Sequence, residues 1–408
     1  VTTGGQNTAL GANAGSAATT GDGGTYVGFN AGASITTAGL NTVVGSYAFD
    51  AATTATQNVA IGYAALSTVT TAANNTAIGY AALTANTTGT QNTAVGAQSL
   101  DANTTGGSNT ALGHNSLTGN TEANGNTALG HNAMIGSNTG NDNTGVGSGA
   151  LQSNTSGTGN VAVGAGIAGV DVAALGLNTT GDNNVAIGRQ ALRSNTTASD
   201  NTAVGKSAGL AVTTGGRNTL IGSLAGDSLV DGSDNVAIGY DVDVASSLGN
   251  SITLGSGISA TGSNDFSFGK ASNIVTNNFD ADANWSRSSD IRKKRNVKDD
   301  NLGLSFINNL RPVTFQWKPS NEFPKEWNEY SEENNMNLEA IMHGMIAQEV
   351  KEALDKEGVD TFAGWSVNDD GMQRLSREML VTPIINAVQE LSTQVDELKA
   401  EIQTLKED

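Results

Sequence analysis

The stretch Asn75-Thr76-Ala77-Ile78-Gly79 is one copy of a phrase that recurs along the first 270 residues of this 408-residue chain. Thr76 and Ile78 lie on either side of a small alanine, and this spacing of two residues is the period of a β-strand. The glycine permits a turn or a close backbone approach, and the asparagine tolerates left-handed geometry. Each copy of the phrase therefore predicts a short strand followed by a turn.

The glycine of the phrase fixes the repeat length, because twelve of the fifteen steps between successive repeat glycines are 17 residues long. A unit this short cannot bury a core alone, so the period predicts stacked coils with strands about 4.8 Å apart. The predicted fold class is mainly β, with a β-roll or β-solenoid over residues 1–270. The repeat glycines are Gly11, Gly28, Gly45, Gly62, Gly79, Gly96, Gly113, Gly130, Gly147, Gly164, Gly188, Gly205, Gly222, Gly239, Gly255 and Gly269.

The core of each coil is expected to be thin, since a unit offers only about four sizeable apolar side chains. The free energy gained by burying them hardly offsets the backbone entropy lost when every residue of the coil is ordered. The small strand alanine is expected to let neighbouring chains approach closely, so identical chains would complete the core around a threefold axis. The phrase resembles the YadA-like head repeats of trimeric autotransporter adhesins. That resemblance implies a left-handed, trimeric β-roll over residues 1–270.

One step in the repeat is longer than the others. Gly164 and Gly188 are 24 residues apart, which predicts an inserted loop within 165–183 that bears Ile167, Val170 and Val172. Its two interpretations are a structural bulge and a special site.

Two sets of polar residues share the repeat register. Asp142, Asp200 and Asp234 each precede a repeat glycine by five residues, which indicates turn positions and not catalytic or calcium-binding groups. His114 and His131 follow repeat glycines in consecutive coils and are expected to stack. We interpret them as an exposed ladder and not as a metal site, because no third ligand repeats with them.

The charge of the chain excludes several classes of partner. The net charge is −19, and residues 1–270 carry five basic residues against 14 acidic ones. Nucleic-acid binding depends mainly on Lys and Arg contacts with phosphates, so DNA and RNA are not expected partners. Cysteine is absent, no apolar run is long enough to span a bilayer, and no cofactor or metal is predicted.

The composition changes after Gly269, where tryptophans, prolines and mixed charges appear. We predict a neck over 271–288, a small α+β domain over 289–378 and a C-terminal helix over 379–408. The helix carries alternating steps of four and three between apolar residues, which predicts a coiled coil. β-Branched residues at one heptad position and leucine at the other usually favour a coiled coil of two helices, which conflicts with a trimer. The seam is Ile384, Val388, Leu391, Val395, Leu398, Ile402 and Leu405.

The segment Ser289-Asp290-Ile291-Arg292-Lys293-Lys294 opens the predicted α+β domain. A serine becomes a strong nucleophile only when a base takes its proton, and a lysine can do so when burial or nearby positive charge favours its neutral form. Arg292, Lys293 and Arg295 supply such charge beside Lys294. The spacing by itself is also typical of a solvated basic face.

Ser-Asp-x-Arg-x-Lys resembles the start of the intramolecular chaperone autoprocessing endopeptidase domain of phage tailspikes and tail fibres, including endosialidases, and of myelin regulatory factors. Two later phrases resemble the same family, one within 343–350, with Met345 in place of the usual Phe, and one within 375–391. The resemblance implies a released piece of 120 residues, 289–408. It also implies that Ser289 is the nucleophile, that Lys294 is the general base and that the cut falls between Ser288 and Ser289.

Other residues of these phrases are expected to support the site. Asp290 and Arg292 would orient it, whereas Gln348 and Glu349 would hold the fold or a subunit contact. His343 is the only histidine of the domain and competes with Lys294 for the role of base.

The function expected from these features is that of a homotrimeric phage tail fibre or tailspike-like protein in the virion tail, with an adhesive role at a host receptor that could be a glycan. Its C-terminal domain would direct trimer assembly and then cut itself off. The alternatives are a bacterial cell-surface adhesin with the same processing domain, a polysaccharide-degrading tailspike, which would need paired carboxylates in a groove, and a threonine-rich ice-binding surface.

Overall fold

The computed structural model of the protein divides into two compact units, Val1–Ser288 and Ser289–Asp408. Among the described residues, no helix is long and apolar enough to cross a membrane. The structure describes residues 5–136, 138–167, 172–271, 273–278, 289–327, 329–334, 336 and 338–407.

The first unit is a β-solenoid in which each coil contributes one strand to a single 17-stranded sheet. Successive strands pair in parallel and in register, as in Thr76 with Thr93 and Ile78 with Val95. The predicted β-solenoid of 17-residue repeats is confirmed. The strands are β1 Thr8–Leu10, β2 Thr25–Val27, β3 Thr42–Val44, β4 Val59–Ile61, β5 Thr76–Ile78, β6 Thr93–Val95, β7 Thr110–Leu112, β8 Thr127–Leu129, β9 Thr144–Val146, β10 Val161–Val163, β11 Val185–Ile187, β12 Thr202–Val204, β13 Thr219–Ile221, β14 Val236–Ile238, β15 Ile252–Ser256, β16 Asp265–Lys270 and β17 Asn273–Asn278.

The last strand of the first unit departs from the parallel pattern. β17 runs antiparallel to β16, with Phe268 opposite Val275. This hairpin covers the edge of β16, which would otherwise present unpaired backbone groups. β17 lies in the segment predicted as a neck, and residues 279–288 of that segment lie outside the described residues.

The middle residue of each of the strands β2 to β14 is buried inside the coil. Ala77 and Ala94 are fully buried, whereas Ile78 is 36% exposed. This corrects the expectation that the alanine faces neighbouring chains. The interior of a coil is narrow, and the buried leucine five residues after Ile78, Leu83, already occupies much of it. In this coil only a methyl group fits opposite Leu83, so the larger strand residues Thr76 and Ile78 turn outward.

The asparagine of the phrase is buried and forms a ladder through the solenoid. Asn75 Oδ1 accepts the backbone N–H of Asn92 at 2.9 Å, and Asn75 Nδ2 donates to the carbonyl of Gly89 at 3.0 Å. An amide suits this position because it both accepts and donates, which satisfies buried backbone groups. The expected left-handed geometry belongs instead to the preceding residue, Asn74, with φ 62°.

The repeat glycines make the close approach that the sequence predicts. Gly79 has φ +139°, and a Cβ there would overlap the carbonyl oxygen of Gly96 in the next coil. Both conditions exclude larger residues, since this φ is rarely available to an L-amino acid with a side chain. The glycine therefore sets how tightly the coils stack.

The longer step between coils does not interrupt the solenoid. The backbone N–H of Asn184 donates to Asn160 Oδ1 at 2.9 Å across the 24-residue spacing, so the asparagine ladder continues. Of the three apolar residues predicted on the inserted loop, Ile167 is exposed and Val172 is half-buried. Val170 lies outside the described residues.

The acidic residues that share the repeat register occupy turns, as predicted. Asp142, Asp200 and Asp234 have φ values of 58°, 62° and 63°. Asp234 also forms an ion pair with Arg217 of the preceding coil at 2.7 Å. His114 and His131 stack with ring centroids 5.5 Å apart, which confirms the predicted ladder.

The second unit is a small α+β domain with a long C-terminal helix, as predicted. Its core contains Leu302, Phe306, Val350, Leu354 and Leu380. Short 3-10 helical turns lie at Ile291–Lys293, Ser320–Glu322 and Arg377–Leu380. The remaining elements are α1 Leu304–Asn308, β18 Val313–Phe315, β19 Met342–Gly344, α2 Ala347–Lys356, β20 Trp365–Val367, β21 Gln373–Leu375 and α3 Val381–Glu407.

The first turns of α3 hold the domain together. Asn386 Nδ2 donates to the carbonyls of Asp300 and Leu302, both at 3.0 Å. Glu390 Oε2 accepts the backbone N–H of Leu304 at 2.9 Å and so caps the start of α1. The rest of α3 exposes the predicted heptad seam, at Ile384, Val388, Leu391, Val395, Leu398, Ile402 and Leu405. The coiled coil itself stays a prediction.

Candidate functional site

The second unit begins with a tight turn over Ser289–Lys294. Asp290 caps the 3-10 turn Ile291–Lys293, since its carboxylate accepts the backbone N–H of Arg292 at 2.8 Å. The backbone N–H of Lys294 then donates to the carbonyl of Ile291 at 3.0 Å. These two bonds fold the segment back on itself, which brings its last residue toward its first.

The turn places the lysine amine beside the serine hydroxyl. Lys294 Nζ lies 2.7 Å from Ser289 Oγ, which is hydrogen-bonding distance. A nucleophile and its base must lie at this distance for direct proton transfer. Both residues are exposed in the single chain. The geometry allows the predicted roles of nucleophile and base, and those roles stay a prediction.

Asp290 and Arg292 form a bidentate ion pair beside the serine. Arg292 Nε lies 3.0 Å from Asp290 Oδ1, and Arg292 Nη2 lies 2.6 Å from Asp290 Oδ2. The hydrogen bonds from Arg292 lower the pKa of the Asp290 carboxyl below its usual value. Asp290 is thus paired with Arg292, while Lys294 forms its hydrogen bond with Ser289. The predicted orienting role of this pair fits its position.

His343 lies in a different part of the domain. It is exposed on β19, where it pairs with Thr314 of β18, and its carbonyl accepts Arg377 Nη1 at 2.9 Å. No hydrogen bond or ion pair joins His343 to Ser289 in the described part of the chain. The structure therefore does not bring the competing base to the serine.

Gln348 and Glu349 lie in the first turn of α2. Glu349 forms a bidentate ion pair with Arg311, with Arg311 Nε 3.0 Å from Glu349 Oε2. The side-chain hydrogen bond to Glu349 raises the pKa of Arg311. Gln348 is exposed, whereas Val350 of the same phrase is buried in the core. The Arg311–Glu349 pair links the segment before β18 to α2, which is a structural contact.

Glu390 is a structural residue that the sequence reasoning did not single out. A Cβ at Gly303 would overlap the Glu390 carboxylate, so the glycine makes room for the cap on Leu304. Glu390 belongs to the third family phrase, within 375–391. Its position in that phrase is the sequence feature that could have marked it as a structural residue. Its partner is 86 residues away in sequence, so the pairing has no local pattern.

Two further predictions concern what surrounds the site. Ser288, the other residue of the predicted cleavage bond, lies outside the described residues. Within the described ranges, no group of three or more His, Asp or Glu side chains is placed to hold a metal ion.

These features define a β-solenoid protein with a small α+β domain that opens on a serine–lysine contact. Residues 289–359 match the family model described as chaperone of endosialidase, a family of peptidases that process their own chain. The chain therefore carries a domain of this family, and the match begins at Ser289. It ends before the third phrase and does not extend to the solenoid. No curated protein and no solved structure matches the chain.

Proposed function

We propose that this chain forms a homotrimeric fibre of a phage tail, and that its C-terminal domain aligns three copies and then cuts itself off before Ser289. The observation that carries the proposal is the 2.7 Å contact between Lys294 Nζ and Ser289 Oγ. It lies at the first residue of both the second compact unit and the family match. A cut before Ser289 would separate the two units and leave each whole.

The proposed cleavage proceeds through an ester. Ser289 Oγ attacks the carbonyl carbon of residue 288 while neutral Lys294 takes the hydroxyl proton. The carbon–nitrogen bond then breaks, and the proton passes to the departing amide nitrogen of Ser289. Water hydrolyses the resulting ester, which leaves a carboxylate on residue 288 and a free amine on Ser289. Nucleophile and target carbonyl are neighbours in one chain, so little entropy is lost in bringing them together.

Assembly is proposed to cover the serine and lysine, which are exposed in the single chain. A lysine acts as a base only in its neutral form, and burial favours that form. Cleavage would then follow assembly and not precede it. This order suits a domain that must act as a template before it is removed.

The solenoid offers a surface through which copies can associate. The third residue of many strands is a large aliphatic side chain on the outside, which forms a stripe along the coils. Burying such side chains against another copy would favour association by about 25 cal/mol for each Å² of apolar surface removed from water. The most exposed members are Leu10, Val44, Ile78, Leu112, Leu129, Ile187, Ile221 and Ile238.

The repeat also explains why a template is needed. A slip of one coil between chains exchanges one outward aliphatic residue for another and therefore costs little locally. The exposed seam of α3 is proposed to fix the register at one end, from which the coils can associate in order. Removal of the template after assembly would leave a fibre that does not readily refold once it is unfolded, so its lifetime would depend on the barrier to unfolding.

The fibre is proposed to act in the virion tail, where it contacts a receptor on the host surface, with glycans as the expected class. A net charge of −19 supports a soluble assembly that does not bind nucleic acid. The family of the C-terminal domain supports a phage tail protein.

The test is expression of the full chain followed by mass spectrometry under denaturing conditions. The wild type should give two fragments that separate between residues 288 and 289. Ser289→Ala and Lys294→Gln should remain full length. Lys298→Gln is the matched control, because Lys298 is an exposed lysine of the same domain that lies outside the turn Ser289–Lys294, and it should cleave like the wild type.

Two outcomes would contradict the proposal. Cleavage at the same bond in Ser289→Ala would remove the serine from the mechanism. Cleavage in Lys294→Gln together with its loss in His343→Ala would assign the base to the histidine. Native mass spectrometry of the uncut Ser289→Ala protein tests the trimer separately.

A further inference from the structure

A row of exposed rings runs along the first half of the solenoid. Its members lie one residue after a repeat glycine, or two residues in the case of Tyr47, and we call them the ring row: Phe29, Tyr47, Tyr63, Tyr80, His114 and His131. Tyr63 and Tyr80 are 51% and 57% exposed, more than the outward Ile78 of the adjacent strand. The rings follow the repeat glycines in sequence, whereas the side chains of the aliphatic stripe precede them. The ring row is therefore distinct from the aliphatic stripe.

Neighbouring rings in the row contact each other. The rings of Tyr63 and Tyr80 have centroids 5.5 Å apart and planes within 10° of parallel. The rings of His114 and His131 have the same separation and the same angle. Parallel rings at this distance overlap face to face with an offset. Each stacked pair therefore covers one face of each of its rings, and Tyr63 also meets the ring of Tyr47 with centroids 6.0 Å apart.

One coil within the row carries no ring. The residue after Gly96 is Ala97, which lies between the coil of Tyr80 and the coil of His114. The free face of Tyr80 and the free face of His114 therefore point toward the same position. Two strand spacings, about 9.5 Å along the solenoid axis, separate the coils that carry these two rings. The missing ring leaves a slot with two aromatic walls and an alanine floor.

We propose that this slot binds one pyranose ring of a surface glycan, sandwiched between Tyr80 and His114. The proposal rests on the proposed function, in which the fibre contacts a glycan receptor, and names the site and the manner of contact. The C–H groups on the two faces of the sugar would pack against the two rings. The exposed amide of Gln98 and the half-buried amide of Asn115 follow the floor and the second wall in sequence, where they can meet the sugar hydroxyls.

The width of the slot favours a sugar over a flat ring. Carbon atoms pack best at about 3.5–4.0 Å, so a flat base between two rings fills about 7–8 Å. The puckered chair of a pyranose is thicker than a flat ring and therefore comes closer to the width of the slot. Both walls are exposed side chains, and small rotations can close the remaining gap. The absence of a cationic side chain among Ala97, Gln98 and Asn115 also disfavours a nucleotide phosphate.

Filling the slot provides the sharpest test. Ala97→Tyr should be accommodated, because tyrosine occupies the same position in the coils of Tyr63 and Tyr80, and it should complete the ring row. Tyr80→Ala removes one wall instead. Ala12→Tyr is the matched control, because Ala12 holds the same repeat position outside the slot and is exposed. Thermal melting should show that all three variants keep the fold.

The probes are the methyl glycosides of glucose, galactose, mannose and N-acetylglucosamine, followed by saturation-transfer NMR with the full protein. At least one glycoside should bind the wild type and the Ala12→Tyr control. Ala97→Tyr and Tyr80→Ala should each weaken that binding at least tenfold. If a glycoside binds all four proteins equally, the slot is wrong while sugar binding by the fibre stands. If no glycoside binds the wild type, both the slot and the glycan part of the proposed function are wrong.

Discussion

The packing inside the coils predicts a specific exchange between two positions. Leu220 is the fully buried middle residue of β13, where most strands carry alanine. Gly209 and Gly226 lie four residues after repeat glycines, where other coils bury a leucine such as Leu83. A Cβ at Gly209 would lie 2.8 Å from Leu220 Cδ1, and one at Gly226 would lie 2.7 Å from Leu220 Cδ2. The large strand residue is thus matched by glycines in its own coil and in the preceding one.

Leu220→Ala should therefore be costly. Buried Leu→Ala changes cost about 2–5 kcal/mol, and more when the site cannot collapse. Here the flanking residues are glycines with no side chain to move into the space, so the upper half of that range is expected. Gly209→Leu in the Leu220→Ala background restores the arrangement of an ordinary coil and should recover most of the loss. Gly209→Leu alone should destabilise, because it overpacks the same space.

Hydrogen exchange measured by mass spectrometry is the appropriate assay, because a solenoid responds to a change mainly in the mutated coil and its neighbours. A loss of 2–5 kcal/mol corresponds to exchange faster by about 30-fold to several thousandfold in peptides that cover residues 205–226. Peptides around Tyr63 should exchange as in the wild type. The reasoning is refuted if Leu220→Ala exchanges within threefold of the wild type, or if the double variant is no slower than the single one.

Three further predictions concern single sites. Gly79→Ala should separate its coil from the next one, because a Cβ there overlaps the carbonyl of Gly96 and the φ of +139° is strained for alanine. The melting temperature should therefore fall, and an unchanged melting temperature would contradict this prediction. The hydrogen bonds from Arg292 lower the pKa of Asp290, so the ion pair should be fully formed above the usual Asp pKa of about 3.9 and be lost only as the pH falls through the lower folded value. An NMR titration of the Asp290 carboxyl should show a midpoint below about 3.9 that rises toward 3.9 in Arg292→Gln, because this variant lacks the side-chain hydrogen bonds of Arg292. Burial raises the pKa of Tyr26, so its contribution to stability should be complete below the usual tyrosine pKa of about 10 and decline as the pH rises through the folded value; Tyr26→Phe should remove that alkaline dependence from the melting curve.

Much of the solenoid could be predicted from the sequence because its information is local and repeated. Each coil contains its own strand signal and its own glycine, and the constant 17-residue period fixes the register between coils. The stacking of His114 on His131 follows directly from that register. The serine–lysine pair was also predictable as a candidate, since both residues lie within one hexapeptide that resembles a known family.

The direction of the strand residues could not be predicted in the same way. The two-residue period of a strand shows which residues share a face, but it does not show which face is inside. Ala77 faces inward and Ile78 outward because the buried Leu83 and the buried asparagines leave room only for a methyl group. Sequence reasoning placed the alanine at the contact between chains, and the position of the leucine within the coil reverses that assignment.

The sequence by itself determined the repeat period, the boundary near Ser289 and the chemical identity of the candidate pair, because these depend on residues that are near one another in the chain. Only the tertiary structure decided the cap of Glu390 on Leu304, the pairing of His343 with Thr314, and the geometry of the proposed slot between Tyr80 and His114. These features depend on residues that are distant in sequence or on a side chain missing from a row. Their geometry is set by packing across the fold, which no local pattern records.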